Sequence, residues 1–305
     1  MPKFLCVCLN PTLQRTFVLS ALRENEVNRT SEYYLDAAGK GVNAARILSQ
    51  LGSRAIHLTH AGGRNRELLI ELASSSGVDI HAVESGSEIR TCYTLLSAAE
   101  QTTTEIVEES EPVGEGTEVR AWEKYLELVE DCDVLVIGGT KSIGLSDTLY
   151  PRMTQDAKGR GKRVVLDIRG RDLLNSLAHG PDVIKPNLAE FVSTFLPSGE
   201  HTSEHTRDPK LIEAVTGKMR EIYATYGTVT VLTRGGNETL YVEDAQIGSA
   251  KPGRIEPVNT IGCGDAFTAG FARSWAEGAS IAAAVAEGNR VAGLNARQVR
   301  PGTIR

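Results

Sequence analysis

Short apolar runs of strand length recur along the chain and alternate with amphipathic stretches of helical period. The runs are FLCVCL, AIHLTHAG, DVLVIGG, RVVLDI, DVIKPN and TVTVLTRGG, and the helical stretches are GVNAARILSQLG, AWEKYLELVEDC and LIEAVTGKMREIYATYG. In the first helical stretch Val42, Ala45 and Leu48 recur at every third position before Gly52. This alternation predicts an α/β fold with a mainly parallel central sheet, and ligands bind such sheets beyond the carboxyl ends of the strands.

Two other regions are rich in Thr, Tyr and Val. RTFVLS with NRTSEYYLDAA, and RTCYTLLSA with TTTEIVEES, indicate two antiparallel strand pairs. They predict a small sheet that projects from the main one, with strands drawn from about 12–36 and 89–110. The polar segment 197–210 is expected to be a surface loop.

Composition narrows the class of ligand. The chain has 305 residues, a formal net charge of -6 and a pI near 5.6. Because nucleic acids and membrane surfaces favour a basic face, neither is an expected partner, and a small soluble ligand is favoured. The five cysteines lack CxxC spacing and indicate a reducing compartment. With no secretory or membrane-spanning stretch evident, we expect a cytoplasmic protein.

Two glycine-rich turns run directly into predicted helices. Their residues are Gly39, Lys40 and Gly41 in DAAGKGVNAARIL, and Gly262, Cys263, Gly264 and Asp265 in NTIGCGDAFTAGF. The unpaired N–H groups of a first helical turn bind anions such as phosphoryl groups. Neither turn has the spacing GxxxxGK[ST] or GxGxxG. Taken alone, each also fits a simpler interpretation, with Lys40 solvated in a tight turn and Asp265 as a helix N-cap.

Together the two turns resemble the signatures of the ribokinase/PfkB family of sugar kinases. The segments LNPTLQRT, NEVNR, IRTCYTL, VIKPNLAEF and GLNARQVRPGTI are most similar to those of 1-phosphofructokinases and tagatose-6-phosphate kinases. The resemblance covers the whole chain and implies one ribokinase-like domain, 1–305, built as a three-layer α/β/α sandwich with the small sheet as a lid over the sugar. It also implies transfer of a phosphoryl group from ATP, with Mg²⁺, to a hydroxyl of a sugar phosphate.

The resemblance implies roles for individual residues. Asp265 is expected to be the general base, while the amides of Gly262, Cys263 and Gly264 stabilise charge on the transferred group. The expected acceptor contacts are Gln14, Arg29, Gly39, Lys40, Gly41, Asn43 and Arg90, of which Arg29, Lys40 and Arg90 match basic residues of phosphosugar kinases. The expected nucleotide contacts are Lys185, Asn187, Thr233, Gly235 and Asn289. Glu190, in the family's NxxE element, is expected to organise Mg²⁺, usually through water.

Several positions depart from the family pattern and leave the acceptor open. Gln14 stands where an Asp receives hydrogen bonds from sugar hydroxyls, Thr94 replaces a Lys of several 1-phosphofructokinases, and Glu238 replaces a common Gly beside the nucleotide. Two alternatives therefore stay open. One is a kinase for an unphosphorylated sugar or nucleoside, in which Arg29 and Arg90 serve only the lid; the other is a non-catalytic sensor of sugar phosphate or nucleotide. A monomer and a homodimer are both consistent with the sequence.

Overall fold

The computed structural model describes residues 1–196, 203 and 206–305, so most of the segment 197–210 lies outside the described residues. The strands are β1 (Lys3–Val7), β2 (Thr12–Leu19), β3 (Tyr33–Ala38), β4 (Arg54–Ala61), β5 (Asp79–Glu84), β6 (Arg90–Ser97), β7 (Thr102–Val107), β8 (Val134–Gly138), β9 (Arg163–Asp167), β10 (Val183–Ile184), β11 (Val229–Leu232), β12 (Thr239–Glu243) and β13 (Gln246–Ala250). The helices are α1 (Lys40–Gln50), α2 (Arg66–Ser75), α3 (Thr117–Val129), α4 (Leu149–Gly159), α5 (Gly170–Leu177), α6 (Leu188–Phe195), α7 (Pro209–Tyr226), α8 (Cys263–Ala276) and α9 (Ile281–Ala296).

The described residues form one large sheet of nine strands, in the order β13-β12-β11-β10-β9-β8-β1-β4-β5. Every pairing from β11 to β5 is parallel, and the hairpin of β12 and β13 is antiparallel at one edge. The prediction of a mainly parallel sheet is therefore confirmed. Central strands such as β8 are buried along their whole length because helices cover both faces.

Alternate residues of a strand point to opposite faces of the sheet, and here they enter two separate cores. Leu5 and Val7 of β1 pack with helices α3 to α7, whereas Phe4 and Cys6 pack with α1, α2, α8 and α9. This arrangement confirms the predicted three-layer α/β/α sandwich. None of the described helices combines the length and the hydropathy needed to cross a bilayer.

A second sheet of four strands has the order β3-β2-β6-β7. The antiparallel pairs β2–β3 and β6–β7 are those predicted from the sequence. A parallel pairing of β2 with β6 joins them, beginning with Thr12 opposite Arg90. Because side chains alternate along paired strands, this register places Gln14, Asp36, Arg90 and Thr94 on one face of the small sheet.

Candidate active site

The carboxylate of Asp265 is buried at the start of α8. Gly262 is the N-cap of this helix, with φ 81°, and a Cβ at that position would lie 2.7 Å from the backbone nitrogen of Gly302. The alternative in which Asp265 is the N-cap is therefore wrong, because Gly262 holds that position and Asp265 is the third residue of the helix. Instead, Oδ2 of Asp265 accepts a 2.8 Å hydrogen bond from Nδ2 of Asn43, in the first turn of α1.

Burial and the neighbouring charges determine the pKa of Asp265. Burial raises its pKa to about 6, and the nearby carboxylate of Asp167 acts in the same direction. Lys40, Lys185 and the hydrogen bond from Asn43 oppose the rise because they favour the charged form. A carboxylate with a pKa close to neutrality is suited to general base catalysis.

Asp167, the last residue of β9, binds two lysines. Its Oδ1 lies 2.7 Å from Nζ of Lys40, and its Oδ2 lies 3.1 Å from Nζ of Lys185 and accepts a 2.8 Å bond from the hydroxyl of Thr268. Burial would raise the pKa of Asp167, but the two ammonium groups outweigh that effect and lower it. For Lys40, burial is likewise outweighed, because Asp167, Glu190 and Asp265 raise its pKa. The cluster therefore holds Lys40 charged.

Asn187 and Glu190 form a reciprocal cap at the start of α6. Oδ1 of Asn187 accepts from the amide of Glu190 at 2.7 Å, and Oε2 of Glu190 accepts from the amide of Asn187 at 3.0 Å. The other carboxylate oxygen, Oε1, lies 3.3 Å from Nζ of Lys40. Glu190 thus caps its helix and also contacts the ammonium group of Lys40. Next to this cap the carbonyl of Thr233 accepts from the amide of Leu188 at 3.0 Å.

The glycine turn at the start of α8 faces Lys185. A Cβ at Gly264 would point toward Nζ of Lys185 at 3.8 Å, so the turn and this ammonium group border the same space. The amide of Ala266 bonds to the carbonyl of Gly262 at 2.9 Å and closes the first helical turn, while the amide of Cys263 donates to Thr260 at 3.3 Å. Cys263 does not supply an ionised thiol, because burial raises its pKa to about 11.

On the small sheet, two residues that depart from the family pattern are partners. Gln14 is buried, and its Nε2 donates to Oγ1 of Thr94 at 2.8 Å. Arg90, on the same face, uses Nη1 to bind the carbonyl of Glu108 at 3.1 Å. Its Nε is buried and has no hydrogen-bond partner among the residues that the structure describes.

The remaining predicted residues lie on the segment between β2 and β3, in turns, on α9 and at the start of α1. Arg29 is exposed in the segment between β2 and β3, and Gly235 lies in an exposed turn after β11. Asn289 on α9 contacts the β12–β13 hairpin, since it accepts from Thr239 at 3.0 Å and donates to the carbonyl of Ala250 at 3.4 Å. Gly39 is the N-cap of α1, and Gly41 is buried in the first turn of that helix.

Sequence reasoning missed two residues of this network. Asp167 could have been noticed as the charge that ends the apolar run RVVLDI, at the sheet edge where ligands bind. Arg46 lies one helical turn after Asn43 and is 4% exposed, and its Nη1 donates to Oδ1 of Asn43 at 3.1 Å. In the sequence, Arg46 could have been noticed only as a basic residue within the apolar pattern of α1.

The chain is similar to carbohydrate kinases in both sequence and structure. The profile of the pfkB family of carbohydrate kinases matches residues 6–304. The chain is 28% identical to a 1-phosphofructokinase of Xanthomonas campestris pv. campestris over 271 aligned residues. The alignment covers 87% of this chain and 82% of the relative. A mutant of Escherichia coli phosphofructokinase-2 has a similar structure, with a TM-score of 0.85 at 22% identity over 99% of this chain and 95% of the other. The same E. coli protein in complex with fructose-6-phosphate gives a TM-score of 0.82 at 22% identity, over 96% and 93% of the two chains.

Proposed function

The chain belongs to the pfkB family of carbohydrate kinases, and from this premise we propose that it transfers the γ-phosphoryl group of ATP to a hydroxyl of a sugar phosphate. The observation that carries the proposal is the buried carboxylate of Asp265, which is held by Asn43 beside the glycine turn of α8. A proton acceptor next to the first amides of a helix is the arrangement that phosphoryl transfer to a hydroxyl requires.

In the proposed reaction, the acceptor hydroxyl gives its proton to Asp265 while its oxygen attacks the γ-phosphorus. The new P–O bond forms as the bond from the γ-phosphorus to the bridging oxygen breaks, and ADP leaves. We assign the proton to Oδ1 because Oδ2 accepts the amide of Asn43. The amides of Gly262 and Gly264 and the ammonium of Lys185 stabilise the charge on the transferred group, and the amide of Cys263, which donates to the carbonyl of Thr260 before ligand binds, turns to join them.

The donor set fits a hydrated magnesium ion. Within the described chain, no three His, Cys, Asp or Glu side chains come close enough to enclose a metal. Magnesium retains several waters and takes one or two carboxylates together with substrate phosphates, so Glu190 would hold it from one side. When bound, the ion neutralises charge on the nucleotide phosphates. Lys185, Asn187, Thr233, Gly235 and Asn289 are the proposed nucleotide contacts.

For the acceptor, we propose that the small sheet is a lid and that its inner face carries Gln14 and Arg90. Support for a phosphorylated acceptor comes from Nε of Arg90, a buried donor that a phosphate oxygen would satisfy. Arg29 and Lys40 would add positive charge, and the neutral pair of Gln14 and Thr94 would meet sugar hydroxyls. Closure of such a lid excludes water that would otherwise accept the phosphoryl group.

The test is a coupled assay of ADP release with ATP and magnesium across phosphorylated and plain ketoses, aldoses and nucleosides. We expect one phosphorylated ketohexose, such as fructose 1-phosphate or tagatose 6-phosphate, to be strongly preferred. Saturation by a plain sugar at micromolar concentration would overturn the phosphosugar assignment. Absence of turnover across the panel, with ligand binding detected by thermal shift, would instead support a non-catalytic sensor.

A further inference from the structure

Arg46 is a buried cation whose hydrogen-bond acceptors are all neutral. Its Nη2 donates to the carbonyl of Ala37 at 2.5 Å, its Nη1 to the carbonyl of Gly302 at 3.3 Å and to Oδ1 of Asn43 at 3.1 Å, and its Nε to Oγ of Ser76 at 3.0 Å. Burial lowers the pKa of Arg46 to about 10, so it stays charged at neutral pH. A guanidinium so enclosed has a fixed geometry because each of its three nitrogens donates to a partner.

The contact with Asn43 determines which end of that amide faces Asp265. A guanidinium only donates hydrogen bonds, so the atom of Asn43 that faces Arg46 must be the carbonyl oxygen. The NH₂ group is then turned toward Oδ2 of Asp265, a carboxylate oxygen that accepts it at 2.8 Å. The reversed amide would place NH₂ against the guanidinium and the carbonyl against the carboxylate, which makes both contacts repulsive.

We propose that Arg46 is a positioning residue for phosphoryl transfer, which holds the amide of Asn43 in the one orientation that fixes the carboxylate of Asp265 toward the acceptor hydroxyl. The inference rests on the proposed role of Asp265 as base. Arg46 itself touches neither substrate nor the transferred group; it acts through Asn43. The charged and titratable groups that face Asp265 from the surrounding elements are Lys40, Arg46, Asp167, Lys185 and the thiols of Cys8 and Cys263.

A variant of Gln50, on the same helix, serves as the control for a purely structural role of Arg46. Arg46 also holds the C-terminal turn through Gly302, and Gln50, one helical turn further along α1, holds the same turn. Nε2 of Gln50 donates to Oγ1 of Thr303 at 2.9 Å, and its Oε1 accepts from the amide of Ile304 at 2.8 Å. Gln50→Ala therefore loosens the C-terminal turn and leaves the contact between Arg46 and Asn43 in place.

The experiment is a double-mutant cycle of Arg46→Met and Asn43→Ala, with kcat measured at saturating substrates on the full chain. We expect Arg46→Met to lower kcat by about 100-fold in the native background, the scale of a misplaced catalytic group. In the Asn43→Ala background the same change should lower kcat less than about twofold, because the residue through which Arg46 acts is gone. Equal losses in both backgrounds, or a similar loss in Gln50→Ala, would overturn the proposal.

A pH profile gives a second readout that a structural role would not move. Loss of the donated hydrogen bond raises the pKa of Asp265, so the acidic limb of kcat/KM should shift to higher pH in Arg46→Met as in Asn43→Ala, and should stay in place in Gln50→Ala. A limb that does not move in Arg46→Met contradicts the proposal. If Arg46→Met does not fold, Arg46→Lys enters the same cycle with the same criteria, since one ammonium cannot serve all four acceptors.

The variant Asp265→Asn separates the positioning role of Arg46 from the proposed role of Asp265 as base. Near-normal kcat in Asp265→Asn would remove the base on which both depend. A severe loss in Asp265→Asn together with equal losses for Arg46→Met in both backgrounds would leave the base in place and exclude only the positioning role.

Discussion

Nζ of Lys185 lies 3.1 Å from Oδ2 of Asp167, and both side chains are almost fully buried. The other oxygen of Asp167 binds Lys40, so one carboxylate at the end of β9 holds two cations that come from different elements. Because Gly264 faces Lys185, this carboxylate also sets the charge beside the glycine turn. The positions of the two ammonium groups in the site therefore depend on the carboxylate of Asp167.

The first prediction concerns the stability of this cluster. Asp167→Asn leaves the ammonium of Lys185 buried without a counter-charge, which costs about 3 kcal/mol in the free energy of unfolding. Urea unfolding followed by circular dichroism measures the loss. The control is Glu221→Gln, which breaks the exposed pair of Lys218 and Glu221 and should cost less than about 0.5 kcal/mol. Equal stability of the two variants would show that the buried pair contributes nothing.

The second prediction tests the base. Asp265→Asn keeps the shape of the side chain but cannot take a proton at neutral pH, so kcat should fall by about a thousandfold while ATP affinity stays within a factor of about three. Calorimetric titration of ATP and the ADP-release assay measure the two quantities. Asp156→Asn, on α4 beside Tyr125, is the control and should retain kcat. A rate near that of the native protein would exclude Asp265 as base.

The third prediction is a pH dependence. Burial is the main cause that raises the pKa of Asp265 to about 6, and only the carboxylate form accepts a proton. The value of kcat/KM, which reports the free enzyme, should therefore fall as the pH drops through about 6.

Asn43→Ala sharpens this test. Since the amide of Asn43 favours the charged form, its removal raises the pKa of Asp265, and the acidic limb should move to higher pH. Asn175→Ala, at an exposed position of α5, should leave the limb unchanged. An identical limb in the native and Asn43→Ala proteins would assign it to another group.

The fourth prediction concerns the acceptor phosphate. Arg90→Met removes the partly buried guanidinium but keeps much of its apolar volume, so KM for a phosphorylated acceptor should rise by about 100-fold, with KM for ATP unchanged. Arg23→Met, in an exposed ion pair with Glu26, is the control on the adjoining segment. If KM rises equally for a phosphorylated and a plain sugar, Arg90 does not bind the phosphate.

Much of the fold was predictable because its signals are local. Alternating apolar runs and helical periods marked the parallel sheet, and the Thr-rich pairs marked β2–β3 and β6–β7. The parallel pairing of β2 with β6 was not predictable, because it joins segments almost 80 positions apart with no turn to set the register. The antiparallel hairpin of β12 and β13 was missed because its short strands lack a strong alternation.

The predicted residues that the structure brings together stood in a glycine turn or a family motif. Asp265, Lys40 and Glu190 were named in this way, and the family itself was confirmed. Asp167 and Arg46 were missed because their contacts in the site are with distant parts of the chain. Asp167 meets Lys40 across 127 positions, and Arg46 meets Gly302 across 256.

The sequence by itself determined the layered α/β fold, the family and the kinds of side chain available to the site. Hydrophobic periodicity and glycine turns are local features, so they are visible over a few consecutive residues. Only the tertiary structure decided which side chains contact one another. It shows that Asp265 is held by Asn43 and is not the N-cap of its own helix, and that the carboxylate of Asp167 binds two lysines. The physical reason is that pKa and orientation depend on burial and on partners within a few ångströms, and such partners are brought together by packing rather than by proximity along the chain.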